Sequence, residues 1–405
     1  MAYCLDLSTP QPSSSSRPIS GMVAKKEPII WLLLGDRHGD NGQLRALAAT
    51  LRETFGWSCE IKQLHFDSAY PIPHRVRGAS QLGLNKHKSS VLQAPWPDIV
   101  MAAGKSSVSV SRWICRKSGG KTLNVLLGRP RAAHRHFDLI VATPQYGLPN
   151  SDNVVQCSLP MTRTDARHSP ERMPYWQDKW RDLPRPWTAV MIGGGTAQLK
   201  FDDASALNLL EQLECYRLQV GGSLLVTTSP RTPPRIAALI STRLPRHSYF
   251  HAWQEQAANP YQAFLALADR FVVTIDSVTM IAEAVDRMKP VYYFKLPQRN
   301  VSMRLVSPRL LKRLRLRRHR RREEHMVPDL LDRLIDRLAA GGIISSRNDY
   351  SSFEADLRHR GVARPLDALM PSVPWPQHNL LRQESQHVAH RIWALWCSAQ
   401  GQPDC

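Results

Sequence analysis

Short, continuous runs of apolar and β-branched residues recur along this chain, each cut off by Gly, Asp, Ser or Pro, and most of them lead into a stretch of helical periodicity. "PIIWLLLGD" (28–36), "DIVMAAG", "KTLNVLLG" and "FDLIVATP" form a first series; "TAVMIGGGT", "SLLVTTSP", "RFVVTIDS" and "PVYYFKLP" form a second. A strand that is apolar throughout, rather than at alternate positions, is covered on both faces, which is the habit of parallel strands packed between helices. The helical stretches agree: "NGQLRALAATLRETFG" places Leu44, Leu47, Ala48 and Leu51 on one stripe and stops at Gly56. The expected fold class is therefore α/β, two Rossmann-like doubly wound domains in tandem, with a Pro-rich joint, "DLPRPW", at 182–187. The expected division is a leader at 1–26, domains at 27–181 and 186–298, an insertion at 299–352 and a closing segment at 353–405.

Composition narrows the partners. The 405 residues carry a net charge of +20, which implies an anionic partner: nucleic acid, a phosphate-rich ligand or an acidic membrane surface. Seven scattered cysteines without a C-x-x-C pair suggest neither a disulfide framework nor a zinc site, and they fit a reducing cytoplasm. "STPQPSSSSRPISG" (8–21) reads as a Ser/Pro-rich disordered leader without the apolar core of a signal peptide. No apolar run reaches the roughly 18 residues needed to span a bilayer.

In doubly wound sheets ligands sit at the carboxyl ends of the strands, and four strand-end loops stand out. "GDRHGDNGQ" (35–43) crowds His38, Asp40, Asn41 and Gln43 at a helix start; its bland alternative is a capped tight turn. "GGGT" offers the amides of Gly193, Gly194 and Gly195 to a phosphate or sugar, with Thr196 and Gln198 adding side-chain donors, although its spacing is that of neither a Walker loop nor a dinucleotide fingerprint. "AAGKSS" (102–107) is no Walker loop either, since Ile99 stands where the first glycine is needed. "TTSPRT" ends a strand in Thr228, Ser229 and Arg231, whose planar fork suits a diphosphate; a solvent-facing Arg is the ordinary outcome. The fourth loop opens a helix with Asp276 or Ser277 as cap, and Asp276, Met280 and Glu283 share one stripe. That stripe places Glu283 one to two turns from a phosphate at the helix N-terminus, where a carboxylate can accept from two ribose hydroxyls. A Glu on the wet face is the alternative, and the apolar neighbours in "IAEA" count against it.

These blocks carry a resemblance. "PRPWTAVMIGGGT", "SLLVTTSPRTP" and "NPYQAFLALADRFVVTIDSVTMIAEAVDRMKPVYYF", with "PDIVMAAG", "FDLIVATPQYGLPNSDNVV" and "FEADLRHRGVARPLDA" (353–368), resemble the "elongated mitochondria" fission family, whose bacterial relatives are read as lipopolysaccharide-core glycosyltransferases. The resemblance implies a GT-B fold: two Rossmann-like domains facing a cleft, a nucleotide-sugar on the second and an acceptor on the first. It assigns the Asp276-Ser277 turn, Glu283 and the glycine loop to the donor, and the 35–43 loop, with Asn41 and Gln43, to the acceptor. His38 or Asp40 then becomes the candidate base for the acceptor hydroxyl. Arg231, the glycine amides and the helix behind Ser277 become the stabilisers of a leaving diphosphate without metal. The nucleotide-sugar is a substrate, and no cofactor is expected.

The insertion holds a large share of the positive charge, a surplus of +8 out of +20 between residues 304 and 324. From Arg304 to Glu324 it holds ten Lys/Arg against two acids, with Leu310, Leu311 and Leu314 as a narrow apolar stripe. Leu331, Leu334, Ile335 and Leu338 follow in a second amphipathic pattern. A basic amphipathic helix, here at 304–322, reads as an anionic-membrane element worth about 1 kcal/mol per basic residue. Without aromatics to stack bases, nucleic acid is the lesser alternative. The closing helix aligns Val388, Ile392 and Trp396, suited to packing back on the first domain. The expected function is sugar transfer from a nucleoside diphosphate to a lipid-linked or lipopolysaccharide-type acceptor by a cytoplasmic protein bound peripherally to the inner membrane. A catalytically inactive GT-B relative serving as a membrane adaptor is the rival.

Overall fold

The computed structural model describes residues 27–67, 77–163, 173–255, 258–299, 337, 340, 341, 348–367, 375 and 379–401. The leader, the basic segment 304–322 and the second amphipathic stripe fall outside the described residues.

The first half holds strands β1 (Ile30–Leu34), β2 (Cys59–Gln63), β3 (Ile99–Ala103), β4 (Leu123–Leu127), β5 (Leu139–Ala142) and β6 (Val154–Gln156), with helices α1 (His38–Phe55) and α2 (Gly104–Lys117). Every pairing is parallel, in the order β2-β1-β3-β4-β5-β6. The central strands are buried at nearly every position because helices cover both faces. Strand β2 is different: Glu60 and Lys62 make it a charged edge, which discourages pairing with another chain.

After helix α3 (Met173–Lys179) the second half runs β7 (Trp187–Ile192), α4 (Asp203–Val220), β8 (Ser223–Thr228), α5 (Pro234–Arg243), β9 (Ser248–His251), α6 (Tyr261–Leu267), β10 (Arg270–Thr274), α7 (Val278–Val285) and β11 (Val291–Phe294). Helix α8 (Tyr350–His359), β12 (Arg364–Pro365) and helix α9 (Leu380–Ala399) close the chain. This sheet is also all parallel, in the order β12-β11-β10-β7-β8-β9, which is the Rossmann order. The architecture is thus α/β and GT-B-like. The strand order reverses between β1 and β3 in one sheet and between β7 and β10 in the other, and those switch points are where a ligand crevice opens.

Two elements cross the expected boundaries. Trp176 and Trp180 belong to the core of the second sheet, so α3 packs there although it precedes the Pro-rich joint. In α9, Leu380 and Leu381 join the second core while Val388, Ala389, Ile392 and Trp396 pack into the first. One helix therefore binds both halves.

Candidate functional site

The second switch point is a closed clamp. The Gly193 N–H donates to Thr274 Oγ1 at 2.8 Å, and the N–H groups of Gly194 and Gly195 both donate to Asp276 Oδ2 at 3.1 Å. Arg231 Nη2 lies 3.1 Å from that same oxygen and donates to Ser277 Oγ at 3.0 Å, while Nη1 donates to the Gly195 carbonyl at 3.1 Å. The Asp276 side chain is fully buried, and its Oδ1 has no hydrogen-bond partner among the described residues. This corrects the sequence expectation: the glycine amides and Arg231 do not face a diphosphate, because an internal carboxylate already holds them. Asp276 consequently does not cap α7, and Ser277, the N-cap residue, makes no side-chain cap bond either. The glycines serve close packing. A Cβ on Gly193 would overlap the Asp276 carboxylate, and one on Gly194 would overlap the Arg231 backbone.

The neighbouring hydroxyls are engaged as well. Thr196 Oγ1 accepts from the amides of Gln198 and Leu199 at 3.2 and 3.1 Å, an internal turn rather than a ligand contact. Thr228 Oγ1 accepts from the Trp253 amide at 2.8 Å, and Ser229 bonds Thr232.

Helix α7 is what remains open. Its first intrahelical donor is the Ile281 N–H, to the Ser277 carbonyl at 3.0 Å, so the preceding amides have no acceptor within the helix. Glu283 is half-buried and accepts a hydrogen bond from the Tyr261 hydroxyl. Burial raises its carboxyl above the ordinary range, with the Tyr261 bond opposing the shift. Met280, half-buried, packs on the second core.

At the first switch point α1 begins at His38, three residues earlier than the sequence pattern indicates. In its first turn Asn41 ties the helix to the end of β1: its Oδ1 accepts from the Gly35 N–H at 3.0 Å and its Nδ2 donates to the Gly35 carbonyl at 2.7 Å. Asn41 is thus a brace for the loop, not an acceptor ligand. Gln43 reaches only the Gly39 carbonyl, at 3.5 Å. His38 is exposed, whereas Asp40 is half-buried against Gly104, the first residue of α2. Burial raises the Asp40 carboxyl, and Arg37 partly offsets that. Gly104 has φ +78°, and a Cβ there would strike the Asp40 carboxylate. Gly104→Ala is expected to cost about 1–2 kcal/mol through its left-handed backbone and to displace Asp40, read as a lowered denaturant midpoint.

The two switch points face each other: a Cβ on Gly39 of α1 would lie 3.4 Å from Thr279 Oγ1 of α7. Beside Asp40 stand groups that no sequence motif marks. Arg129, after β4, lies over the Tyr146 ring at 5.4 Å and donates to Asn348 Oδ1 at 2.6 Å. Tyr146 feels the charges of Asp40, Arg129 and Arg131. The only available signal was "GRPRAAH", Arg residues directly behind an apolar run.

The profile of the family described as Mitochondrial fission ELM1 matches residues 38–341. The chain belongs to this family. Within it, the mitochondrial fission protein ELM1 of Arabidopsis thaliana is 28% identical over 219 residues, 48% of this chain and 51% of that protein, so the chain spans about half the length of this ELM1 relative. The uncharacterized protein RP120 of Rickettsia prowazekii is 21% identical over 305 residues, 67% of this chain and 84% of that protein. Among solved structures, MurG of Acinetobacter baumannii is similar at TM-score 0.36 and 14% identity, covering 93% of this chain and 96% of that one. The UDP-GlcNAc 2-epimerase of Methanocaldococcus jannaschii is similar at TM-score 0.46 and 10% identity, covering 90% and 99%. Among the described residues of this ELM1-family chain, no helix is long and apolar enough to cross a membrane.

Proposed function

We propose that the chain is a GT-B glycosyltransferase: a nucleoside diphosphate sugar binds at the second switch point and its sugar passes to a lipid-linked or lipopolysaccharide-type acceptor at the first. The observation that carries this reading is the opposition of Gly39 and Thr279, which sets the start of α7 across a narrow gap from Asp40. The free amides of α7 receive the phosphates, Glu283 receives the ribose hydroxyls, and Asp40 takes the proton of the attacking hydroxyl. A half-buried carboxyl with a raised pKa suits a general base better than the exposed His38. The Asp276-Arg231-glycine clamp holds α7 in place. The basic segment 304–322 brings the protein to the anionic inner membrane surface from the cytoplasmic side.

Thermal shift and calorimetry with uridine, guanosine, cytidine and thymidine diphosphates test the donor half. One nucleotide should bind, and Glu283→Ala should weaken it by about tenfold or more, as expected for losing hydrogen bonds to a charged acceptor. The pH dependence has a definite sign. Protonated Glu283 is a poorer acceptor, so affinity should fall as pH drops through its raised pKa. The free protein should show the reverse trend. A folded pKa above the ordinary 4.5 means the native state holds the proton more tightly, so this group's contribution to stability declines as pH rises from about 4.5 through the folded value.

One observation favours a second reading, an inactive membrane adaptor: Glu283 already has a partner in Tyr261. Unchanged nucleotide binding in Glu283→Ala, or no binding of any nucleotide, would support the adaptor and end the transferase reading.

A further inference from the structure

We propose that Arg129 and Arg131, with Arg37, form an anion subsite in the first domain that receives a phosphate group carried by the acceptor, beside the Asp40 carboxylate. This deepens the transferase reading and rests on it for the word acceptor. Arg129 is half-buried at the mouth of β4; among the described residues its Nε is buried without a hydrogen-bond partner and its guanidinium bonds a neutral amide, Asn348 Oδ1 at 2.6 Å. Among the described residues, the charges felt most by Arg129 and Arg131 are each other's and Arg37's, with Tyr146 and Tyr350 beside them. Burial and that mutual repulsion pull the Arg129 guanidinium down to about 10. A cluster of this kind is unfavourable unless an anion completes it, and a planar fork beside a second guanidinium matches phosphate oxygens.

Position assigns the anion. Arg129 follows β4 and Arg37 precedes α1, so both stand on the carboxyl edge of the first sheet, on the Asp40 side of the cleft. The Asn348 contact and the bond from the Asp349 N–H to the Gln145 carbonyl at 2.7 Å bring the α8 end of the chain against the same edge. The Tyr146 phenol, whose ring lies under Arg129, is held up first by burial and then by Asp40, which places the cluster within electrostatic reach of the proposed base. An acceptor phosphate on these arginines would hold a nearby hydroxyl beside Asp40.

The test is calorimetric titration of the full chain with glycerol 3-phosphate, inorganic phosphate and the selected nucleoside diphosphate, for the wild type, R131Q, R129K and R129Q/R131Q. R131Q changes an exposed side chain and R129K keeps the charge, so both report even if the double variant folds poorly. The expected result is at least about tenfold weaker glycerol 3-phosphate binding in R129Q/R131Q, a smaller loss in R131Q and R129K, and unchanged nucleotide affinity. Equal phosphate binding by wild type and R131Q overturns the subsite. A parallel loss of nucleotide affinity overturns the acceptor assignment, because the arginines would then hold the donor. Vesicles of phosphatidic acid against phosphatidylcholine separate the sources: R131Q should lower sedimentation with the former if a lipid phosphate is the ligand, whereas a free phosphate site leaves it unchanged. A failed nucleotide panel would end the transferase reading and with it the word acceptor, but not the anion subsite, since phosphate titration reads the arginines independently.

Discussion

Asp276→Ala is expected to destabilise the second half by about 3–5 kcal/mol, the usual result of removing one partner from a buried, hydrogen-bonded pair. The carboxylate is fully buried, and its loss strands the N–H groups of Gly194 and Gly195 together with the Arg231 guanidinium. Each stranded amide costs about 1–3 kcal/mol. Arg231 contributes less, because its side chain is about half exposed and water takes up the released charge. Arg231→Ala should therefore be milder than Asp276→Ala, since Asp276 keeps both amides. Denaturant unfolding of the two single variants and the double variant checks this as a cycle. Equal midpoints for Asp276→Ala and wild type would show that the clamp is not what holds α7.

Asp40→Asn carries the largest expected effect on activity. If this carboxylate is the base, turnover with the nucleotide-sugar chosen by the binding panel should fall by about 10²–10⁴, read as release of nucleoside diphosphate. Nucleotide affinity should stay the same, because Asp40 lies across the cleft from α7. Catalysis needs the deprotonated form, so the wild-type rate should rise with pH through the raised Asp40 pKa, and that limb should vanish in Asp40→Asn. His38→Ala, at an exposed position, should change the rate little by comparison. The opposite ranking would transfer the role to His38.

The strands that the sequence made plain are those whose every residue is covered: β1, β3, β7 and β8 are buried from end to end, and an uninterrupted apolar run is the direct imprint of that. The strands it left unread, β6, β9 and β12, are short sections at or near sheet edges with part-exposed residues, where no periodicity accumulates. Helix α6, at seven residues, is too short for a helical periodicity to show. The site was harder. In the chain Asp276 stands next to a helix start, so local reasoning makes it a cap. The register of β7 beside β10 brings it instead to glycines more than 80 positions earlier. Asn41 is ambiguous in the sequence for the related reason that a brace to Gly35 and a ligand contact use the same amide group. Arg129 and Tyr146 gave no motif, because their partnership depends on two separate loops meeting Asn348 and Tyr350 from the far end of the chain.

Helix α9 has a consequence for biosynthesis. Val388, Ala389, Ile392 and Trp396 complete a core whose strands lie between residues 30 and 156. While the polypeptide is being made, the amino-terminal half therefore waits with an uncovered greasy groove until residues 388–396 have been translated. A ribosome-bound intermediate ending near residue 300 should accordingly be a substrate for holdase chaperones, and the chain should let go of them only once α9 has been made.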